Sequence, residues 1–216
     1  MEDYRRTLKK AGTILVIVGI VDIAVMIACV VFKRGYSSSL NIFAVGAGVF
    51  LIRGNLQATL KITRFGAFLL SGLCVAAVLV LPSVRPLSYW AVDFRLNTAA
   101  ELLGLAYTLI VFPVLIWTYS LLRRPEVLAA MTSQGIATRP PYFWYGMGTT
   151  LAIVLAVLLH VTFNGHAATK AIDIARSRYG AQYEYAIDRI TMSDESGSAT
   201  LTAYKADEMK QVRVEW

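Results

Sequence analysis

The sequence predicts an α-helical integral membrane protein with about five transmembrane helices, followed by a small C-terminal α+β domain. Three observations predict it. Five apolar runs, most near the ~20 residues that a helix needs to cross a bilayer, fill residues 1–163. Basic residues gather between those runs rather than within them. After residue 163 the pattern changes to one amphipathic helical stretch and then to strand-like alternation. The composition agrees: 56% of the 216 residues are hydrophobic, 16% are charged, and the mean hydropathy is +0.56. Soluble domains carry roughly 25% charged residues.

The first run spans 11–32 and is closed by Lys33 and Arg34, with a turn over Gly35–Ser39. Met26-Ile27-Ala28-Cys29 faintly resembles a lipoprotein cleavage box. The run is longer than the about 7–15 residues of a signal h-region, holds Asp22, and continues through Val30 and Val31, so a retained helix is expected. The second run, 36–52, is short and Gly-rich and ends at Arg53. The third, 65–81, stops at Pro82, and an interfacial loop is expected over 83–97. The fourth, 99–122, has Pro113 inside as an expected kink and stops at Arg123-Arg124-Pro125. A polar loop is expected over 126–141, and the fifth run spans 142–163.

With five spans and the N-terminus inside, the inner segments hold Arg5, Arg6, Lys9, Lys10, Arg53, Lys61, Arg64, Arg123, Arg124 and Arg139. The outer loops hold Lys33, Arg34, Arg85 and Arg95. That bias sets the N-terminus in the cytoplasm and the C-terminal domain outside, in a cell membrane of the bacterial inner-membrane kind. If 36–52 only dips into the bilayer, four spans remain and the tail is cytoplasmic. The net charge of +7 is confined to the membrane part: residues 1–163 carry 14 Lys/Arg and 6 Asp/Glu, and residues 164–216 carry 7 and 8. A loop bias of this kind accounts for the charge, and no nucleic-acid partner is expected.

Residues 164–216 form the expected second domain, an α-β-β-β antiparallel meander. Ala168, Ala171, Ile172, Ala175 and Tyr179 share a helical face, and Gly180 suits a C-terminal cap. Tyr183, Tyr185 and Ile187 alternate with polar residues, and the parity shift at Ile190 and Met192 predicts a bulge near Asp188–Arg189. Ser193–Gly197 make a turn. Ala199, Leu201 and Ala203 form the second strand, Asp207–Glu208 turn again, and Val212, Val214 and Trp216 form the third.

Arg178-Tyr179-Gly180 after a membrane helix, then Ala199-Thr200-Leu201-Thr202-Ala203-Tyr204 and Val212-Arg213-Val214-Glu215-Trp216, make residues 143–216 resemble the cytochrome c oxidase complex assembly factor family. The resemblance implies an α-β-β-β domain on a membrane helix and a role in maturing oxidase subunits. That family has one membrane helix where this chain has four further runs. The front part resembles small bacterial multi-pass membrane proteins, which implies no chemistry.

Asp22 is the sharpest candidate for function. A carboxylate in mid-span costs at least about 2.5–3.5 kcal/mol if ionised, so it is expected to be protonated, paired with another helix, or used in ion or proton transfer. Ser71, Thr108 and Tyr107 are the hydroxyls at similar depth. Asn41, Glu101 and His160 are candidate interfacial polar residues. His160 and His166 are six apart, on different helical faces, and Cys29 and Cys74 form no ligand motif, so no metal and no cofactor are expected. Small residues at four-residue spacing (Ala44 and Gly48; Gly72 and Ala76; Gly148, Ala152 and Ala156) suit close helix packing. The expected partners are the lipid bilayer and another membrane protein, met through such faces or through the C-terminal domain. The expected function is non-enzymatic, an interaction or assembly factor for a membrane complex. The alternative is a small transporter or channel component using Asp22.

Overall fold

The computed structural model describes residues 2–31, 41–136, 138–192 and 196–216, without the side chains of residues 2, 41, 82, 83 and 100. Among these residues eight helices precede three strands: α1 Glu2–Val31, α2 Asn41–Ile52, α3 Leu56–Val84, α4 Leu87–Leu96, α5 Thr98–Leu122, α6 Pro125–Ser133, α7 Tyr142–Asn164, α8 His166–Tyr179, β1 Glu184–Met192, β2 Gly197–Lys205 and β3 Glu208–Glu215. Among the described residues four helical stretches are long and apolar enough to cross a membrane, beginning at Asp3, Leu56, Glu101 and Tyr142. Their outward faces carry exposed large apolar side chains such as Ile17, Val30, Leu103 and Leu158. The chain divides into two compact units, residues 1–70 with 107–147 and residues 71–106 with 148–216.

In the first unit α2 runs back along α1. Ile52 packs at Gly12 and Gly48 packs at Val16, and a Cβ on either Gly12 or Gly48 would lie 2.5 Å from the other's carbonyl oxygen. Only glycines let the two backbones approach this closely. At 12 residues, α2 rises about 18 Å, less than the ~30 Å of a hydrocarbon core. The start of the expected span, 36–40, together with Lys33, Arg34 and the turn, lies outside the described residues.

Gly54 ends α2. Its φ of +71° lets its N–H reach the Leu51 carbonyl and the Asn55 N–H reach that of Phe50, which is the Schellman termination. Asn55 then caps α3, its side-chain oxygen accepting from the Ala58 N–H at 3.0 Å. Three consecutive residues, Arg53-Gly54-Asn55, therefore stop one helix and start the next.

The expected loop over 126–141 instead contains α6. Pro125 stands in its first turn, where its missing N–H costs nothing, and Gly135 repeats the Gly54 termination with its N–H on Thr132 and that of Ile136 on Met131. Val127 and Met131 of α6 are buried with Leu8, Leu51, Leu56 and Leu121. Residue 126 is tied in as well: the Thr7 hydroxyl donates to Glu126 at 3.1 Å. The starts of α1 and α3, the end of α2 and the end of α5 thus meet in one apolar cluster, sealed by α6. A four-residue hydrophobic period hidden among small and polar residues made α6 hard to see in sequence.

In the second unit the three strands form an antiparallel sheet in the order β1-β2-β3. The expected bulge is present, with the register shifting between Ile187 and Arg189. The last turn is Ala206-Asp207, one residue earlier than expected, and Glu208 already opens β3. Beyond β3, Trp216 exchanges two backbone hydrogen bonds with Gly197, at 2.7 and 2.9 Å. Helix α8 covers one face through Ala168, Ala171 and Ala175, against Leu201, Ala203 and Val214. These alanines let the helix sit close to the strands. Gly180 (φ +109°) ends α8, its carbonyl accepts the Tyr185 hydroxyl at 2.7 Å, and the Tyr179 hydroxyl donates to the Arg213 carbonyl at 3.0 Å.

The second face is covered by α4, where an interfacial loop is expected from sequence. Tyr89 of α4 is buried with Ala186 and Tyr204. The small-residue stripes of α3 and α7 meet within this unit, Gly72 lying against the Gly148 backbone, with Ala152 and Ala156 buried. Pro113 sits inside α5.

Candidate functional sites

Asp22 lies within α1 and is only 3% exposed. The Tyr107 hydroxyl of α5 donates to its Oδ1 at 2.7 Å. Of the three hydroxyls expected at that depth, Tyr107 is therefore one that the fold brings to the carboxyl, across 85 residues of sequence. A phenol donating to a carboxyl in an apolar setting offsets part of its desolvation and fixes α1 against α5.

The other candidates are scattered. Asn41 opens α2, and its side chain is outside the described ones. Glu101 stands half-buried in the first turn of α5, its N–H on the Asn97 carbonyl at 3.0 Å. His160 is exposed on α7, with its ring nitrogen 3.3 Å from the Asn164 amide nitrogen. His166 opens α8. Among the described residues no group of three His, Cys, Asp or Glu could hold a metal ion.

Sequence reasoning missed the richest polar cluster, which lies between α4 and the sheet. Asp188 is the extra residue of the bulge, and the bulge turns its carboxylate toward α4. Its Oδ2 accepts from the Thr202 hydroxyl at 2.6 Å and its Oδ1 from Arg85 at 3.0 Å. The Arg85 guanidinium also donates to the Tyr89 hydroxyl at 2.8 Å and stacks on the Tyr89 ring, 4.4 Å from its centroid. Next to it, the Ser88 hydroxyl donates to Glu184 at 2.9 Å and lies 3.0 Å from the Tyr204 hydroxyl. Tyr89 and Tyr204 meet edge to face.

Burial is the main cause that pushes both phenols up, Tyr204 to about 12; at Tyr89 the nearby Arg85 opposes the shift. Arg95 reaches the Ala206 carbonyl at 3.3 Å. An open groove of both charge signs runs alongside, lined by Ser88, Arg95, Gln182, Glu184 and Lys205. The one signal in the sequence was the parity shift at Asp188, which located the bulge but not its partner 103 residues away.

No protein-family model matches the chain, and no curated protein or solved structure matches it. The fold itself defines a class: a protein of several long apolar helices that carries a small three-stranded α+β module.

Proposed function

We propose that the chain is an integral membrane protein that acts by contact, as an interaction or assembly factor for a membrane complex. In this reading its C-terminal module is the recognition platform. The observation that carries it is how the module is mounted. Its sheet is held between α8, which follows α7 after Gly165 alone, and α4, which joins α3 to α5 through 85–86 and residue 97. The Arg85–Asp188 and Ser88–Glu184 contacts fasten α4 to β1. A module fixed at both faces to apolar helices presents its edge strands and its mixed-charge groove in a constant orientation. Preorganisation of this kind favours recognition.

The α1–α2 pair supports the membrane topology in this reading. Ile52 returns to the level of Gly12, and Gly54 lies beside the Arg5 side chain. If α1 crosses the bilayer, the chain has come back to its starting side by residue 54, although α2 itself is short. Helices α3, α5 and α7 then give an odd total, and the module emerges opposite the N-terminus. All ten basic residues assigned to the inner side fall in the first unit, and their excess over the outer loops supports a cytoplasmic N-terminus.

The test is copurification from native membranes in mild detergent, with the tag at the N-terminus because Trp216 closes the sheet. A specific partner is expected, retained by the wild type and lost on Arg95→Glu or Lys205→Glu. Subunits of a respiratory oxidase or their maturation proteins would fit the resemblance of residues 143–216. A homo-oligomer without a partner would contradict the assembly reading.

The buried Asp22–Tyr107 pair favours a second reading, a small transporter or channel component. Asp22→Asn keeps the shape and removes the titratable proton. Liposome flux that the wild type supports and Asp22→Asn abolishes would establish transport; equal behaviour of the two proteins removes it.

A further inference from the structure

We propose that Arg64, Arg123 and Arg139 form a binding site for the phosphate of an anionic phospholipid. The three guanidinium groups come from the third turn of α3, the residue after α5, and the extended segment before α7. They line one cleft together with the hydroxyl-bearing Thr63 and Thr138. Arg64 and Arg123 are half-buried. Among the described residues none of the three has a carboxylate within ion-pair distance, whereas Arg124 beside them is matched with Glu126 and Arg85 with Asp188. Three like charges lining one cleft, two of them partly desolvated, repel one another and call for an anion. The planar fork of arginine suits the paired oxygens of a phosphate.

The flank of the cleft decides between a lipid and a free phosphate. Leu122 and Met131 line its apolar side and are almost fully buried. Tyr142, Phe143 and Trp117 near the same helix ends are exposed, a surface suited to acyl chains and to the headgroup level of a bilayer. Basic pockets between helices on the cytoplasmic side are where anionic headgroups bind. This inference rests on the membrane reading given above.

The experiment uses full-length protein in dodecyl maltoside and measures the thermal unfolding midpoint. The probes are dioctanoyl phosphatidylglycerol, dioctanoyl phosphatidylcholine and sodium phosphate at matched concentrations. Phosphatidylglycerol is expected to raise the midpoint, with little effect of the other two. The R64Q/R123Q/R139Q variant is expected to lose the shift, and R6Q/R53Q/K61Q, with the same charge removed elsewhere on the first unit, to keep it. If the triple glutamine variant fails to fold, R123K preserves the charge but not the fork and is expected to weaken the shift. An equal response to phosphatidylcholine, an equal loss in R6Q/R53Q/K61Q, or an unchanged shift in R123K would overturn the site. An equal response to sodium phosphate would overturn the lipid assignment. Carbonate extraction of native membranes checks the membrane reading separately: a chain that stays in the pellet but shows no lipid selectivity refutes only this site.

Discussion

Asp188 is an extra residue in β1, and that single insertion lets it bind Thr202 and Arg85 together. With side chains 29% and 18% exposed, Arg85 and Asp188 are screened from water more than a surface pair is. Asp188→Ala is expected to leave the guanidinium without its carboxylate and to lower the stability of the module by about 1–3 kcal/mol. Denaturant unfolding followed by tyrosine and tryptophan fluorescence would check it. Arg85→Met together with Asp188→Ala is expected to cost less than the two changes summed.

Tyr204 gives a pH prediction at the same scale. Its phenol is pushed up to about 12, chiefly by burial. Between its unfolded value near 10 and that folded value, the native state keeps a proton that the unfolded state has lost. Stability contributed by this group is therefore full below pH 10 and falls as pH rises toward 12. Difference titration of the phenolate absorbance, wild type minus Tyr204→Phe, is expected to show one tyrosine ionising well above pH 10.

Among the elements, α2 makes the sharpest contrast. Gly48 meets the Gly12 carbonyl oxygen, while a Cβ on Gly46 would meet nothing within 4 Å. Gly48→Ala must force two backbones apart and is expected to destabilise by about 1–3 kcal/mol. Gly46→Ala is expected to be neutral or to stabilise by up to about 1 kcal/mol through helix propensity. Thermal unfolding midpoints of the two variants in detergent would separate them.

The elements also show what sequence could reveal. Hydropathy finds α3, α5 and α7 because their apolar runs are long. It starts α1 and α3 late, at 11 and 65 rather than at Glu2 and Leu56, because their first turns are amphipathic and, among the described side chains, bury only Thr7 and Leu8 in α1 and Leu56, Thr59 and Thr63 in α3. Helix α8 and the bulge were legible because period and parity are local. Helices α4 and α6 were not: each is ten residues or shorter and gains its stability from distant partners, Tyr204 and Asp188 for α4 and Leu8 and Leu121 for α6. For the same reason Asp22 could be singled out in sequence while the choice of Tyr107 could not. The polar cluster beneath α4 was invisible until both α4 and the bulge had positions.

At the scale of the whole molecule, the four long apolar stretches and the α1–α2 return support one reading. Under the proposal made above, the chain crosses the bilayer an odd number of times, with residue 134 in the cytoplasm and the module outside. Single-cysteine labelling tests this most directly. In a chain with Cys29 and Cys74 replaced by alanine, one cysteine is placed at Gln134, just after α6, or at Gln211 on β3, both exposed. Intact cells are treated with a membrane-impermeant maleimide before and after permeabilisation. The account predicts labelling of Gln211→Cys in intact cells and of Gln134→Cys only after permeabilisation. Labelling of both positions under the same condition would contradict it.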